Sequence, residues 1–168
     1  MIEYTLTEEL INKAKKRLAR VSANDHREIK FGYDRARILD GYIGEEIIKD
    51  CLNITKEADT FEYDLISNKG KKLEVKTITC KSKPQEDYLC TINAHSETFE
   101  HRQKADYYIF IRLLNDYSKA WVLGYMGCNE FFDKATFVPK GTDFGKFALK
   151  RQNCYVLEIY KLHKIRIN

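Results

Sequence analysis

The sequence has no C-x-x-C pair: its five cysteines, Cys51, Cys80, Cys90, Cys128 and Cys154, are odd in number and scattered. That argues against a thiolate zinc site and against a disulfide framework, so the expected setting is reducing and intracellular. No apolar run reaches membrane-spanning length, and residues 1–9 lack the basic end and apolar stretch of a signal peptide. The expectation is a cytoplasmic protein without a membrane partner. Internal repeats, linkers and low-complexity segments are missing as well. What remains is 168 residues, one domain by length, and a domain of that size buries roughly 70% of its unfolded surface.

A strong charge imbalance is also missing, the net charge being +4, but the basic residues are unevenly placed. Between Lys13 and Arg37 nine Lys or Arg face only three acids, Asp25, Glu28 and Asp34. Lys69, Lys71, Lys72, Lys76, Lys81 and Lys83 form a second cluster. Such clusters suit a polyanion, which makes Lys13, Lys16, Arg17, Arg20, Arg35, Lys72 and Lys81 the candidate nucleic-acid contacts. A charge run taken alone is more often a solvated helix face, so the chemistry has to be sought elsewhere.

Thr7 caps a first helix whose apolar stripe is Leu10, Ile11, Ala14, Leu18 and Val21, with Lys13, Lys15, Lys16, Arg17 and Arg20 expected on the opposite face. A second helix is predicted over residues 34–52. Gly41 and Gly44 lie inside it at a cost of about 1 kcal/mol each relative to alanine, which points to close approach of another backbone. Residues 60–80 read as a hairpin, followed by a short strand at 88–92, a polar and partly helical stretch at 93–104, and strands at 106–112 and 120–126. A short helix at 130–135, a loop at 141–145 and a last strand at 155–160 complete the chain. This order predicts a mixed α/β (α+β) fold, a central mixed sheet with helices on both faces. It divides into a basic N-terminal helical extension (1–30), a core (34–126) and a C-terminal helix, loop and strand (127–168).

The hairpin carries the candidate chemistry. Ser67-Asn68-Lys69-Gly70 is turn sequence with glycine where a positive φ is needed, and counting outward from a Ser67–Lys71 pair sets Asp64 opposite Glu74. Strand alternation then puts Glu74 and Lys76 side by side, so two carboxylates and an ammonium share one sheet face. Cross-strand charge pairing explains such a group on its own; a cation site further requires an acid on a neighbouring helix. Glu45 and Glu46 qualify, and Glu45 is favoured because it lies on the side of Gly41.

Gly41-Tyr-Ile-Gly44-Glu45, then Asp64, then Glu74-Val75-Lys76, then the strand from Asp106 resemble the PD-(D/E)XK nuclease superfamily across residues 34–126, with Tyr63 in place of the family's proline. The resemblance implies a restriction-endonuclease-like core and metal-dependent hydrolysis of DNA phosphodiesters. Asp64, Glu74 and the Val75 carbonyl would hold Mg²⁺ or Mn²⁺, Glu45 would complete the shell directly or through water, and Lys76 would position the attacking water or stabilise the transition state. Gln103 is a further candidate, since some related nucleases carry a glutamine near the site. A structure-specific or end-processing enzyme is expected, with RNA as substrate and a homodimer left open. The rival readings are a nucleic-acid-binding module on the same fold with vestigial acids, and a protein-interaction factor.

Overall fold

Thr7 opens the first long helix: its Oγ1 accepts the Leu10 N–H at 3.2 Å, and Glu8 and Glu9 put negative charge in the first turn of α1 (Glu8–Asn24). Within this computed structural model, which describes residues 1–24, 35–55, 63–94, 104–143 and 152–166, Leu10, Ala14 and Leu18 are buried. Lys13, Lys15, Lys16 and Arg20 are exposed, as the helical period requires. α1 packs along α2 (Arg35–Cys51), where Ile43, Ile47 and Ile48 are fully buried. Each of those side chains stabilises the fold by about 1.5–3 kcal/mol. α2 ends where Asn53 turns to a φ of 53° and the Ile54 N–H returns to the Lys49 carbonyl at 2.8 Å.

Both helices lie on one face of a five-stranded mixed sheet of β1 (Ile2–Thr5), β2 (Leu65–Ile66), β3 (Lys72–Cys80), β5 (Tyr107–Leu114) and β6 (Lys119–Gly127), ordered β1-β6-β5-β3-β2. β3 and β5 run parallel, and the other neighbours are antiparallel. Leu73, Val75, Ile109, Ile111 and Val122 point to the helices and share a core with Leu10, Ala14, Ile43 and Ile47. The protein is thus a mixed α/β fold, and no described helix is long and apolar enough to cross a membrane.

The second face departs from expectation. Among the described residues it is covered by one short helix, α3 (Cys128–Lys134), and by a three-stranded antiparallel sheet of β4 (Leu89–Asn93), β8 (Cys154–Glu158) and β7 (Thr136–Val138). Tyr108, Phe110, Trp121 and Leu123 pack there against Phe131, Cys90, Ile92 and Leu157. The flanking layer is largely sheet because β4 and β8, in register from Leu89–Glu158 to Asn93–Cys154, satisfy each other's backbone without joining the central sheet. Two strands carry no prediction: β7, and β1, which adds an edge to the central sheet through Ile2–Val122 to Thr5–Lys119 pairing. The N-terminal segment is accordingly built into sheet and core rather than appended to them.

The hairpin has the register its turn chemistry dictates. The Ser67 N–H donates to the Lys71 carbonyl at 2.8 Å, the Gly70 N–H donates to Ser67 at 2.8 Å, and Gly70 has a φ of 75°. Leu65 pairs with Leu73, which carries Asp64 to the position across from Glu74. The first arm is short, two residues of strand, and its predicted beginning at 60–62 lies outside the described residues.

Candidate active site

Asp64 sits at the mouth of the hairpin, tied to β3 at both ends of its own backbone and side chain. Its N–H donates to the Leu73 carbonyl at 2.9 Å, and its Oδ2 accepts the Val75 N–H at 2.7 Å. On β3, the Lys76 Nζ donates to Glu74 Oε1 at 2.8 Å. Glu74 is only 4% exposed, an unusual degree of burial for a glutamate. The start of β3 is anchored to β5: the Lys72 N–H donates to Asp106 Oδ2 at 2.8 Å, and the Asp106 N–H donates to the Lys72 carbonyl at 2.9 Å.

α2 brings the third acid. A Cβ on Gly44 would lie 1.9 Å from Thr77 Oγ1, so the absence of a side chain there lets α2 approach β3 closely. The close neighbour is a side chain, not backbone, and Gly41 has nothing within 4 Å of its built Cβ, so only one of the two glycines answers to close approach. The next residue, Glu45, is 7% exposed. Glu46 pairs with Lys49 at 2.7 Å, and Glu45 is the helix acid that raises and is raised by the hairpin carboxylates.

The three carboxylates act on one another. Burial pushes the Asp64 carboxyl up to about 8, with Glu74 and Glu45 adding to the rise and the Val75 N–H and Lys76 opposing it. Burial likewise pushes Glu45 up to about 7, against the pull of Arg17 and Lys49, and Glu74 adds to it. Such a group of desolvated, mutually repelling oxygens is short of positive charge.

Besides Lys76 and Lys49, Arg17 answers it. Its Nη1 pairs with Glu45 Oε2, lies 4.0 Å from Glu46 Oε1, and its guanidinium stacks 4.4 Å over the Tyr42 ring. Arg17 is therefore part of the α1–α2 interface and not of the exposed basic face to which the sequence pattern assigned it. The signal was present: Arg17 is seven residues after Leu10 and three after Ala14, on the buried side of the helix.

The other candidates are spread over the surface. Lys16, Arg20, Arg35 and Lys81 are exposed, and Lys13 pairs with Glu9 at 2.9 Å. Lys72 lies with its ammonium 5.0 Å over the Tyr63 ring. Gln103 lies outside the described residues.

Among the described residues no group of three or more His, Cys, Asp or Glu side chains stands ready-made to hold a metal ion. The donor set nonetheless fits Mg²⁺, which uses one or two carboxylates and fills its remaining positions with water and substrate phosphate. Asp64 and Glu74 supply those two, all-oxygen and facing each other, and soft or imidazole-preferring metals find no matching donors in them. No protein-family model matches the chain, and no curated protein does.

Proposed function

We propose that the chain is a metal-dependent DNA nuclease of the PD-(D/E)XK kind, with a restriction-endonuclease-like core and a preference for structured or terminal substrates. The observation that carries the reading is the convergence of Asp64 and Glu74 across the hairpin, Lys76 hydrogen-bonded to Glu74 at 2.8 Å, and buried Glu45 on the adjoining helix. A bound Mg²⁺ or Mn²⁺ would lower the pKa of a coordinated water and offset charge developing on the phosphate. Asp64, Glu74 and the Val75 carbonyl would hold it, and Glu45 would orient its water. Lys76, hydrogen-bonded to the neighbouring Glu74, would hold the attacking water or donate to a phosphate oxygen. The exposed Lys16, Arg20, Arg35 and Lys81 would hold the polyanion by charge.

A second reading draws on the Arg17–Glu45 pair, which already neutralises the helix acid: a nucleic-acid-binding module without turnover. Labelled linear duplex, single strand and four-way junction, DNA and RNA, incubated with Mg²⁺, Mn²⁺ or EDTA separate the two. The nuclease gives metal-dependent products that vanish in Glu74→Ala. DNA retention without cleavage under either metal would replace the nuclease with the binding module.

A further inference from the structure

Arg17 is held by three contacts at once. Glu45 takes Nη1 through Oε2, Glu46 lies beyond it at 4.0 Å, and the Tyr42 ring lies under the guanidinium plane at 4.4 Å. The side chain is 25% exposed and that of Glu45 9%. A planar guanidinium fixed by an ion pair and a ring has little rotational freedom left, so it imposes an orientation on the carboxylate it binds. Glu45 in turn is buried on α2 and follows Gly44, which lies against Thr77 of β3, the strand that carries Glu74.

We propose that Arg17 is a positioning residue for the metal site: by occupying Glu45 Oε2 from the neighbouring helix, it aims Oε1 at a divalent cation, or its water, held by Asp64 and Glu74. This rests on the nuclease reading above. The alternative is a brace that merely joins α1 to α2. The two differ in what the pair does to metal affinity, because outer partners that orient a ligating carboxylate change that affinity and packing braces do not.

The test uses the full chain, stripped of metal, with Mn²⁺ as the probe read by calorimetry and by its EPR signal. Arg17→Met should weaken Mn²⁺ binding by about 10- to 100-fold, the range for losing an outer partner of a ligand. Arg17→Lys should recover part of the loss, and Arg17→Met combined with Glu45→Gln should bind no more weakly than Glu45→Gln alone. Lys15→Met, an equal loss of charge from the exposed side of the same helix, should leave the affinity unchanged. If Arg17→Met does not fold, Arg17→Gln keeps a donor and much of the stem, and weaker binding is again expected. A folded Arg17→Met or Arg17→Gln protein that binds Mn²⁺ as tightly as the parent, or more tightly, overturns the proposal. Asp64→Asn tells the two failures apart: if it binds Mn²⁺ like the parent, or the parent binds none, the nuclease reading itself falls.

Discussion

Asp64 Oδ2 accepts the backbone N–H of Val75 at 2.7 Å, one residue past the glutamate it faces across the hairpin. That bond fixes the aspartate's orientation against β3 while leaving two acids directly opposed. Like charges so placed are destabilising unless a proton or a cation lies between them.

The pH dependence of stability follows from that opposition. With Asp64 raised to about 8 and Glu45 to about 7, the folded protein keeps protons that the unfolded chain releases from the ordinary carboxylate range upward. Stability is therefore complete at low pH and is lost as pH rises through those values. Acids with depressed values, such as Glu130 and Glu158, are ionised in both states over this window and add no slope. Urea titrations in EDTA between roughly pH 5.5 and 8.5 should give a midpoint that falls with pH, flatter in Asp64→Asn and raised at the alkaline end by saturating Mg²⁺. A midpoint that climbs with pH in EDTA would contradict the burial of these carboxyls.

Lys76 lies on the reacting side of the proposed site, and its ammonium is bonded to a ligand candidate without being one. Lys76→Ala should lower cleavage by about 100- to 1000-fold or more, as expected for a lost electrostatic donor. Mn²⁺ affinity should change little. A fully active Lys76→Ala enzyme would remove the assignment.

At the α2–β3 contact, Gly44→Ala should destabilise the protein by about 1–3 kcal/mol even though alanine is the better helix former by about 1 kcal/mol. The new methyl would meet Thr77 Oγ1 at 1.9 Å. Thr77→Ala should recover most of that loss when the two are combined, in a double-mutant cycle read by thermal melting. Thr77→Val alone should be neutral or stabilising, since Thr77 Oγ1 is buried without a hydrogen-bond partner among the described residues.

Polyanion binding should be read from its salt dependence. Neutralising Lys16 and Arg20, both exposed, should each reduce the slope of log affinity against log salt by about 0.9 where the residue contacts a phosphate of duplex DNA. Arg17→Met should leave the slope unchanged because its charge is already taken by Glu45. Filter binding in Ca²⁺ across a salt series measures both.

Local signals in the sequence identified local structure well. The Thr7 cap, the helical stripe of Leu10, Ala14 and Leu18, and the Ser67–Gly70 turn each involve residues a few positions apart, so the hairpin register and the Asp64–Glu74 opposition could be counted out. β1 and β7 could not: four and three residues hold too little alternation to register, and the partner of β1 is far along the chain. The second sheet was hidden for the same reason, since the pairing of β4 with β8 crosses more than sixty positions, Leu89 to Glu158. Arg17 was misplaced because a basic residue was counted with its neighbours' charge, not with its helical position. Gly41 and Gly44 look alike in sequence, and only the tertiary contact with Thr77 tells them apart.

The pairing of β1 with β6 brings Ile2 beside Val122, and so bears on how the chain acquires its shape. In synthesis β1 has no partner until β6, more than a hundred residues further along, has been made. A closure of that length is entropically costly and slow, so α1 must pass synthesis with its apolar stripe awaiting a sheet that is still incomplete. The hairpin and the α1–α2 pair can assemble early from nearby sequence. The β1 edge is recruited late, which makes the arrival of β6, rather than any single helix, the event that commits the fold.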